Sequence, residues 1–216
     1  MEWRDVHGGA RANLYRVIEA GNPELAAELH DHGWRGSPLR PAGISPPVFT
    51  GAPRRKGAYA TSGNGTVWLG SAVPEIASSI VKGLSKVPDL RWGGVRLDIR
   101  GKEIEWPADF TSGQAEFASV SPVLVKKDSR FLLPGEAGYI ETLTQNLRHK
   151  ADVLKLPNQV AVEVLDAGPR RTLEVSRARR TGAKVKVRVE GDPDLLTALH
   201  ECGIGLNTVQ GFGWLD

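Results

Sequence analysis

The feature that most restricts what this 216-residue chain can fold into lies near its end. There Gly203-Ile204-Gly205 and Gly211-Phe212-Gly213 flank five residues. Glycine lacks a Cβ and accepts left-handed backbone, so paired glycines let a chain turn sharply and approach another backbone closely. Successive free N–H groups in such a loop make a concavity that suits an anion. Asp192 to Glu201 reads as a helix opened by Asp192-Pro193 and stopped by Gly203, and Gly211 to Leu215 reads as a short strand. A dinucleotide fingerprint has the opposite order, strand before loop and helix after it. A glycine-rich turn packed beneath a sheet is the plainer alternative.

Upstream, Glu116 to Val125 reads as a strand, Glu136 to Ala151 as a helix and Gln159 to Leu165 as a strand. Thr172 to Arg179 and Lys184 to Val189 suggest a hairpin about Thr181-Gly182. The resulting β-α-β-(β)-β-α-β order is the ferredoxin-like one. A looser version precedes it. Residues 11–33 read as two short helices, with Asn22 as N-cap and Pro23 at the first helical position of the second. A loop-rich stretch over 35–65 follows, with a short strand near Val48-Phe49. Then come a strand over Thr66–Gly70, a helix over Pro74–Lys86, a strand over Val95–Ile99 and a weaker one over Lys102–Trp106. Met1 to Val6 is too short and polar to read as the strand such a half should begin with. The predicted fold is therefore α+β, with tandem ferredoxin-like (RRM-like) halves over 1–110 and 111–216. The first half lacks a clear first strand, and the turn-like 107–113 is the boundary.

No apolar run approaches the roughly 20 residues that a membrane span needs, and Met1 to Gly9 has no signal-like apolar segment. Cys202 is the only cysteine, which excludes an internal disulfide and a cysteine metal cage and suits a cytoplasmic protein. The net charge is only +3, yet residues 148–188 hold eleven Lys and Arg against four acids, +7, which leaves −4 for the rest. Such a local excess suits a polyanion; a solvated strand face is the bland reading. Lys184, Lys186 and Arg188 alternate with Val185, Val187 and Val189, so a strand would put the cations on one face.

With the loop, the strand and helix motifs around it resemble the CRISPR-associated repeat-processing endoribonucleases of the RAMP superfamily. The loop matches their G-h-G-x5-G-h-G pattern at Gly203, Gly205, Gly211 and Gly213. Val120-Ser121-Pro122-Val123 is similar to their Ser-Pro strand, Asn146-Leu147-Arg148-His149-Lys150 to the end of a helix, and Trp68-Leu69-Gly70-Ser71 to part of the first half. The resemblance implies a metal-independent cut without cofactor: the ribose 2′-hydroxyl attacks the adjacent phosphate, leaving a 2′,3′-cyclic phosphate and a 5′-hydroxyl. It also implies precursor and mature CRISPR RNA as partner, effector-complex subunits as further partners, and a monomer or homodimer.

That chemistry needs a base, an acid and a cation for the phosphorane. The resemblance implies His30, in Leu29-His30-Asp31-His32-Gly33, as general acid or base. Tyr15, fifteen residues earlier, would help activate the 2′-hydroxyl. A lysine common in relatives six residues after the histidine is replaced here by Gly36, so Arg35 is the nearest cation. His32 is an alternative acid, and His7, before Gly8-Gly9, could approach the scissile phosphate. His149 and His200 read as RNA contacts or helix-end residues. Arg148, Lys150, Arg170, Arg171, Arg177, Arg179, Arg180, Lys184, Lys186 and Arg188, with the four loop glycines, are the expected RNA contacts. A non-cutting RNA-binding subunit of a CRISPR effector complex would keep these but need neither His30 nor Tyr15. A nucleotide-binding enzyme would need a Walker lysine after the glycines, and none is present. Removing the cations of 170–188 is expected to weaken repeat-RNA binding and flatten its salt dependence, as titrations at several salt concentrations would read.

Overall fold

A computed structural model describes residues 1–53, 58–106, 108–175 and 177–216. Helix α1 spans Trp3–Gly21 and α2 Pro23–Asp31. The Asn22 side chain accepts from the Leu25 N–H, as the sequence predicts. Helix α1 begins eight residues earlier than expected: Val6, Ala10, Leu14 and Val17 form one buried stripe, and Gly8-Gly9 masked that periodicity. A Cβ on Gly9 would stand 2.8 Å from the Trp92 ring. No strand precedes α1 among the described residues; Glu2 makes a single bridge to Ala58.

Short strands β1 (Gly43–Ile44), β2 (Val48–Phe49), β3 (Gly65–Thr66) and β4 (Leu69–Gly70) pair as β1–β4 and β2–β3. The single strand expected over 66–70 is thus interrupted at Val67-Trp68. Helix α3 covers Pro74–Lys86 as predicted, and β5 (Asp89–Trp92) pairs with β6 (Val95–Asp98). Residues 102–106 form no strand: Ile104 and Trp106 are exposed, so their alternation has no surface to pack on. These elements enclose one core around Leu14, Ile18, Ile76 and Trp92.

In the second half β7 (Gln114–Ala118) ends early: over Ser119 to Leu124 the ladder thins to single bridges, Ser119 to Leu215 and Val123 to Ala183, with Pro122, which has no N–H to give, between them. Strands β8 (Val125–Lys127) and β9 (Arg130–Leu132) form a hairpin through Asp128 and Ser129, both at positive φ. Then come α4 (Tyr139–Leu154), β10 (Val160–Ala167), β11 (Arg171–Val175), β12 (Ala178–Gly182), β13 (Val185–Gly191) and α5 (Pro193–Cys202). The sheet order is β10-β13-β7, all antiparallel, and Leu215 bridges Ser119 at the far side of β7. This is the ferredoxin-like order with its last strand reduced to a bridge. Its core includes Phe117, Leu143, Leu147, Val187 and Leu195. Phe110 packs there too, and Pro107 of the expected boundary lies outside the described residues. The 171–189 region differs from expectation. Strands β11 and β12 pair with each other, the turn falls at Arg177 (φ 64°), and Gly182 stands opposite Arg171 inside the ladder. Among the described residues no helix is long and apolar enough to cross a membrane.

The glycine loop joins the two cores. Gly203, Gly205, Gly211 and Gly213 are buried with φ of 76, 73, 81 and 63°. The Ile204 N–H donates to the Gly213 carbonyl (2.9 Å), and the Gly213 N–H to that of Pro122 (3.0 Å). A Cβ on Gly213 would collide with the Ile204 carbonyl oxygen, whereas one on Gly36 (φ 78°) meets nothing within 4 Å. Gly213→Ala should therefore cost more than about 3 kcal/mol, and Gly36→Ala only about 1 kcal/mol, as urea unfolding midpoints will show.

Candidate active site and nucleic-acid interface

The tight turn at Asn22 folds α2 back on α1 and brings Tyr15 to His30, ring centroids 5.5 Å apart in an edge contact. The Tyr15 hydroxyl donates to the Leu29 carbonyl (3.2 Å) and accepts from Arg40 Nε (2.8 Å). His30 is exposed, and its Nδ1 lies 2.9 Å from Asp31 Oδ1. The hydrogen bond from His30 holds the Asp31 carboxyl below its usual range, and the fields of His30 and His32 add to that. With Nδ1 turned to Asp31, any proton this ring exchanged with a bound substrate would pass through Nε2.

Arg35 is not brought to this pair. Its left-handed backbone (φ 52°) lays the guanidinium over Trp34, 5.0 Å from the ring centroid, beside a cleft of about 360 Å³. Arg40 is the cation at the Tyr15 hydroxyl, and Arg11 lies over its ring, 5.4 Å from the centroid. Spacing from His30 pointed to Gly36 and its neighbours, and nothing local marks Arg40 except Pro38 and Pro41 on either side. His32 caps α2 and is exposed. His7 is 2% exposed, stacked on Phe212 at 3.9 Å, with Nδ1 3.0 Å from the Gln210 carbonyl oxygen. Burial pushes its pKa down to about 4, so it is a neutral packing residue and not a partner of a phosphate. His200 sits in the last turn of α5, half-buried against Phe110 and Phe117, which is the helix-end alternative to an RNA contact; His149 is exposed.

Two groups of expected RNA contacts are turned inward. Lys150 is 4% exposed and donates from Nζ to the Gly203 carbonyl at 2.6 Å, and burial lowers its pKa to about 8. It fastens α4 to the glycine loop instead of meeting phosphate. The glycines themselves face protein. The N–H groups of Gly203, Gly211 and Gly213 donate to the carbonyls of Leu199, Thr208 and Pro122. A Cβ on Gly205 would stand 2.7 Å from the Leu124 carbonyl oxygen. The loop is thus a packed turn, and only its middle, at Leu206-Asn207 and Val209-Gln210, is half-exposed.

The alternation along β13 holds, with Val185, Val187 and Val189 buried. Its cations, however, are partly neutralised across the sheet. Lys186 Nζ lies 2.7 Å from Glu116, and Arg188 pairs with both Glu116 (2.8 Å) and Glu163 (2.7 Å). Hydrogen bonds from Lys186 and Arg188 hold Glu116 below the usual carboxylate range. The outward cations concentrate on two hairpins. Arg171, Arg177 and Arg179 are exposed on β11–β12, with Arg170 just before it and Arg180 half-buried. Lys126, Lys127 and Arg130 are exposed on β8–β9, which packs beside β12. Sequence reading missed that second hairpin because it lies outside the basic run; the signal was Lys-Lys-Asp-Ser-Arg between apolar residues. Strand β11 packs against α1, the helix that carries Tyr15. Arg148 is exposed on α4.

Residues 102–216 match the family model described as CRISPR associated protein Cas6, C-terminal. The chain belongs to this family. It is 27% identical over 208 residues to the CRISPR-associated endoribonuclease Cas6 of Pyrococcus furiosus, covering 93% of this chain and 77% of that protein. With a second such enzyme, from Methanocaldococcus jannaschii, it shares 25% identity over 213 residues, 93% of this chain and 81% of the relative. A solved structure described as an RAMP protein binding different RNA substrates superposes with a TM-score of 0.74 at 17% identity, over all of this chain and 92% of that one. The fold is accordingly the tandem ferredoxin-like α+β arrangement expected from the sequence. The family-model match takes in the glycine loop, Lys150 and both basic hairpins, whereas Tyr15 and His30 lie outside it.

The outward and inward cations should behave differently. Arg179→Ala and Lys127→Ala should each lower the slope of log affinity for repeat RNA against log salt by about one. Lys150→Ala should leave the slope unchanged and cost about 2–5 kcal/mol in denaturant unfolding, because it opens a cavity and orphans the Gly203 carbonyl.

Proposed function

We propose that this chain is the endoribonuclease that matures CRISPR RNA, binding the repeat and cutting it without a metal. Membership in the family supports the activity, as does the name endoribonuclease carried by relatives aligned over 93% of the chain. The observation that carries the reading is the placement of Tyr15 and His30. They meet at the open end of α2, and α1, which bears Tyr15, packs against both the 3₁₀ turn of the glycine loop (Thr208–Gln210) and basic strand β11.

In this reading residues 1–110 carry the chemistry and 111–216 grip the RNA. The repeat lies over hairpins β8–β9 and β11–β12, where Lys and Arg meet phosphates; the deep, narrow major groove of an A-form stem hides its bases, so shape and backbone are what they read. The scissile phosphate reaches the end of α2. The 2′-oxygen loses its proton and bonds to phosphorus, and the bond from phosphorus to the 5′-oxygen breaks. The departing 5′-oxygen takes a proton, leaving a 2′,3′-cyclic phosphate upstream and a 5′-hydroxyl downstream. Asp31 fixes the His30 ring so that Nε2 either takes the 2′-hydroxyl proton or delivers one to the departing 5′-oxygen, solvent water exchanging the other, and Tyr15 receives a hydrogen bond from the 2′-hydroxyl. The protein works in the cytoplasm as a monomer or homodimer and stays on its product, where effector subunits meet it.

A non-cutting RNA-binding subunit is separated from this reading directly. With cognate repeat RNA in EDTA, the protein should yield a cyclic-phosphate end, and a single 2′-deoxy nucleotide before the cut should abolish the product. His30→Ala should slow single-turnover cleavage by about 10²–10⁴ with affinity unchanged. Normal cutting by His30→Ala would remove the assignment.

A further inference from the structure

We propose that Arg40 is a positioning residue for this cleavage, locking the Tyr15 hydroxyl to the last turn of α2; the proposal rests on the roles given above to Tyr15 and His30. One guanidinium reaches four acceptors in three places. Its Nε donates to the Tyr15 hydroxyl oxygen (2.8 Å) and the Leu29 carbonyl (2.9 Å). One terminal nitrogen donates to the His30 carbonyl (2.8 Å), the other to that of Pro38 (3.0 Å). A helix end leaves its last carbonyls without intrahelical partners, and the negative end of the dipole favours a cation there. In α2, only nine residues long, Arg40 meets the orphan carbonyls of both Leu29 and His30 from outside the helix, sharing that of Leu29 with the Tyr15 hydroxyl.

The chemical consequence falls on Tyr15. Its proton points to the Leu29 carbonyl, and one lone pair takes the Arg40 N–H. What remains toward solvent is acceptor capacity, suited to an incoming 2′-hydroxyl. The same fork fixes the turn from which His30 projects, so Tyr15, His30 and the helix end move as one body. Pro38 and Pro41 restrict the backbone on either side of Arg40, so little freedom is lost in holding it. Lysine carries the same charge on a compact ammonium but cannot reproduce a planar fork that spans Tyr15, Leu29 and His30 together. A purely electrostatic role would survive that replacement, and positioning would not.

The test is single-turnover cleavage of cognate repeat RNA by the full chain at saturating protein, with RNA affinity and melting temperature measured alongside. Arg40→Lys should bind RNA as the unsubstituted chain does, melt normally and cut about tenfold slower. Arg40→Gln should cut about 100-fold slower, and adding Tyr15→Phe to it should slow cleavage little further, because both changes break one unit. Full speed in Arg40→Lys would overturn the proposal, as would multiplicative losses in the double variant or a deficit that saturating protein removes. Should Arg40→Gln fail to fold, Arg40→Lys decides, and the double variant is then built on it. His30→Ala separates the two levels. If it is inactive while Arg40→Lys is unimpaired, only Arg40 is misassigned; if it cuts normally, the whole site is.

Discussion

The structure depends on a stretch of backbone that packs where side chains ordinarily would. Between Gly203 and Gly213 the chain doubles back so closely that the Ile204 amide and the Gly213 carbonyl share a 2.9 Å hydrogen bond, with the Gly205 backbone against Leu124. A Cβ at Gly203, Gly205 or Gly213 would meet a carbonyl oxygen, and all four glycines hold a positive φ, so the fit is available to glycine alone. Because this backbone is buried, its polar groups must be satisfied internally. Lys150 supplies the Gly203 carbonyl with a donor, and Pro122, Leu199 and Thr208 take the glycine N–H groups. Burying an ammonium is costly, which its lowered pKa records, but an orphaned carbonyl in the same place would cost as well.

What the wedge achieves is alignment. Phe212 stacks on His7 of α1, and Thr208 donates to the Ala42 carbonyl, so the C-terminal loop holds the N-terminal helix. That helix carries Tyr15 and receives α2 with His30. Basic strand β11 lies along its flank, near the small cluster of Leu124, Leu173, Val175 and Phe212. The basic hairpins of one half and the Tyr15–His30 pair of the other are thus tied to a common rigid element.

Electrostatics sort the lysines and arginines into two populations that composition merges. On the sheet, Lys186 and Arg188 face Glu116 and Glu163 across neighbouring strands, and an ion pair already made has less to give a phosphate. On the hairpins, Arg130 is likewise paired with Glu136, whereas Lys126, Lys127, Arg177 and Arg179 project outward, where a polyanion can displace counterions.

By itself the sequence determined the local rules: the Asn22-Pro23 helix start, α3 over Pro74–Lys86, α5 with its Asp192 cap, the inward valines of β13 and the glycine turns. Each follows from neighbours within a few residues, through capping, periodicity or the missing Cβ. The spacing of Tyr15 and His30 was legible too, because a helical hairpin is a local structure. Only the tertiary structure decided that Arg40 and not Arg35 reaches that pair, that Lys150 turns inward, that Glu116 and Glu163 occupy the sheet cations, and that Lys126 and Lys127 join the basic surface. All of these are settled by which groups from distant parts of the chain come within hydrogen-bonding or ion-pairing distance, and a linear charge count holds no information about that.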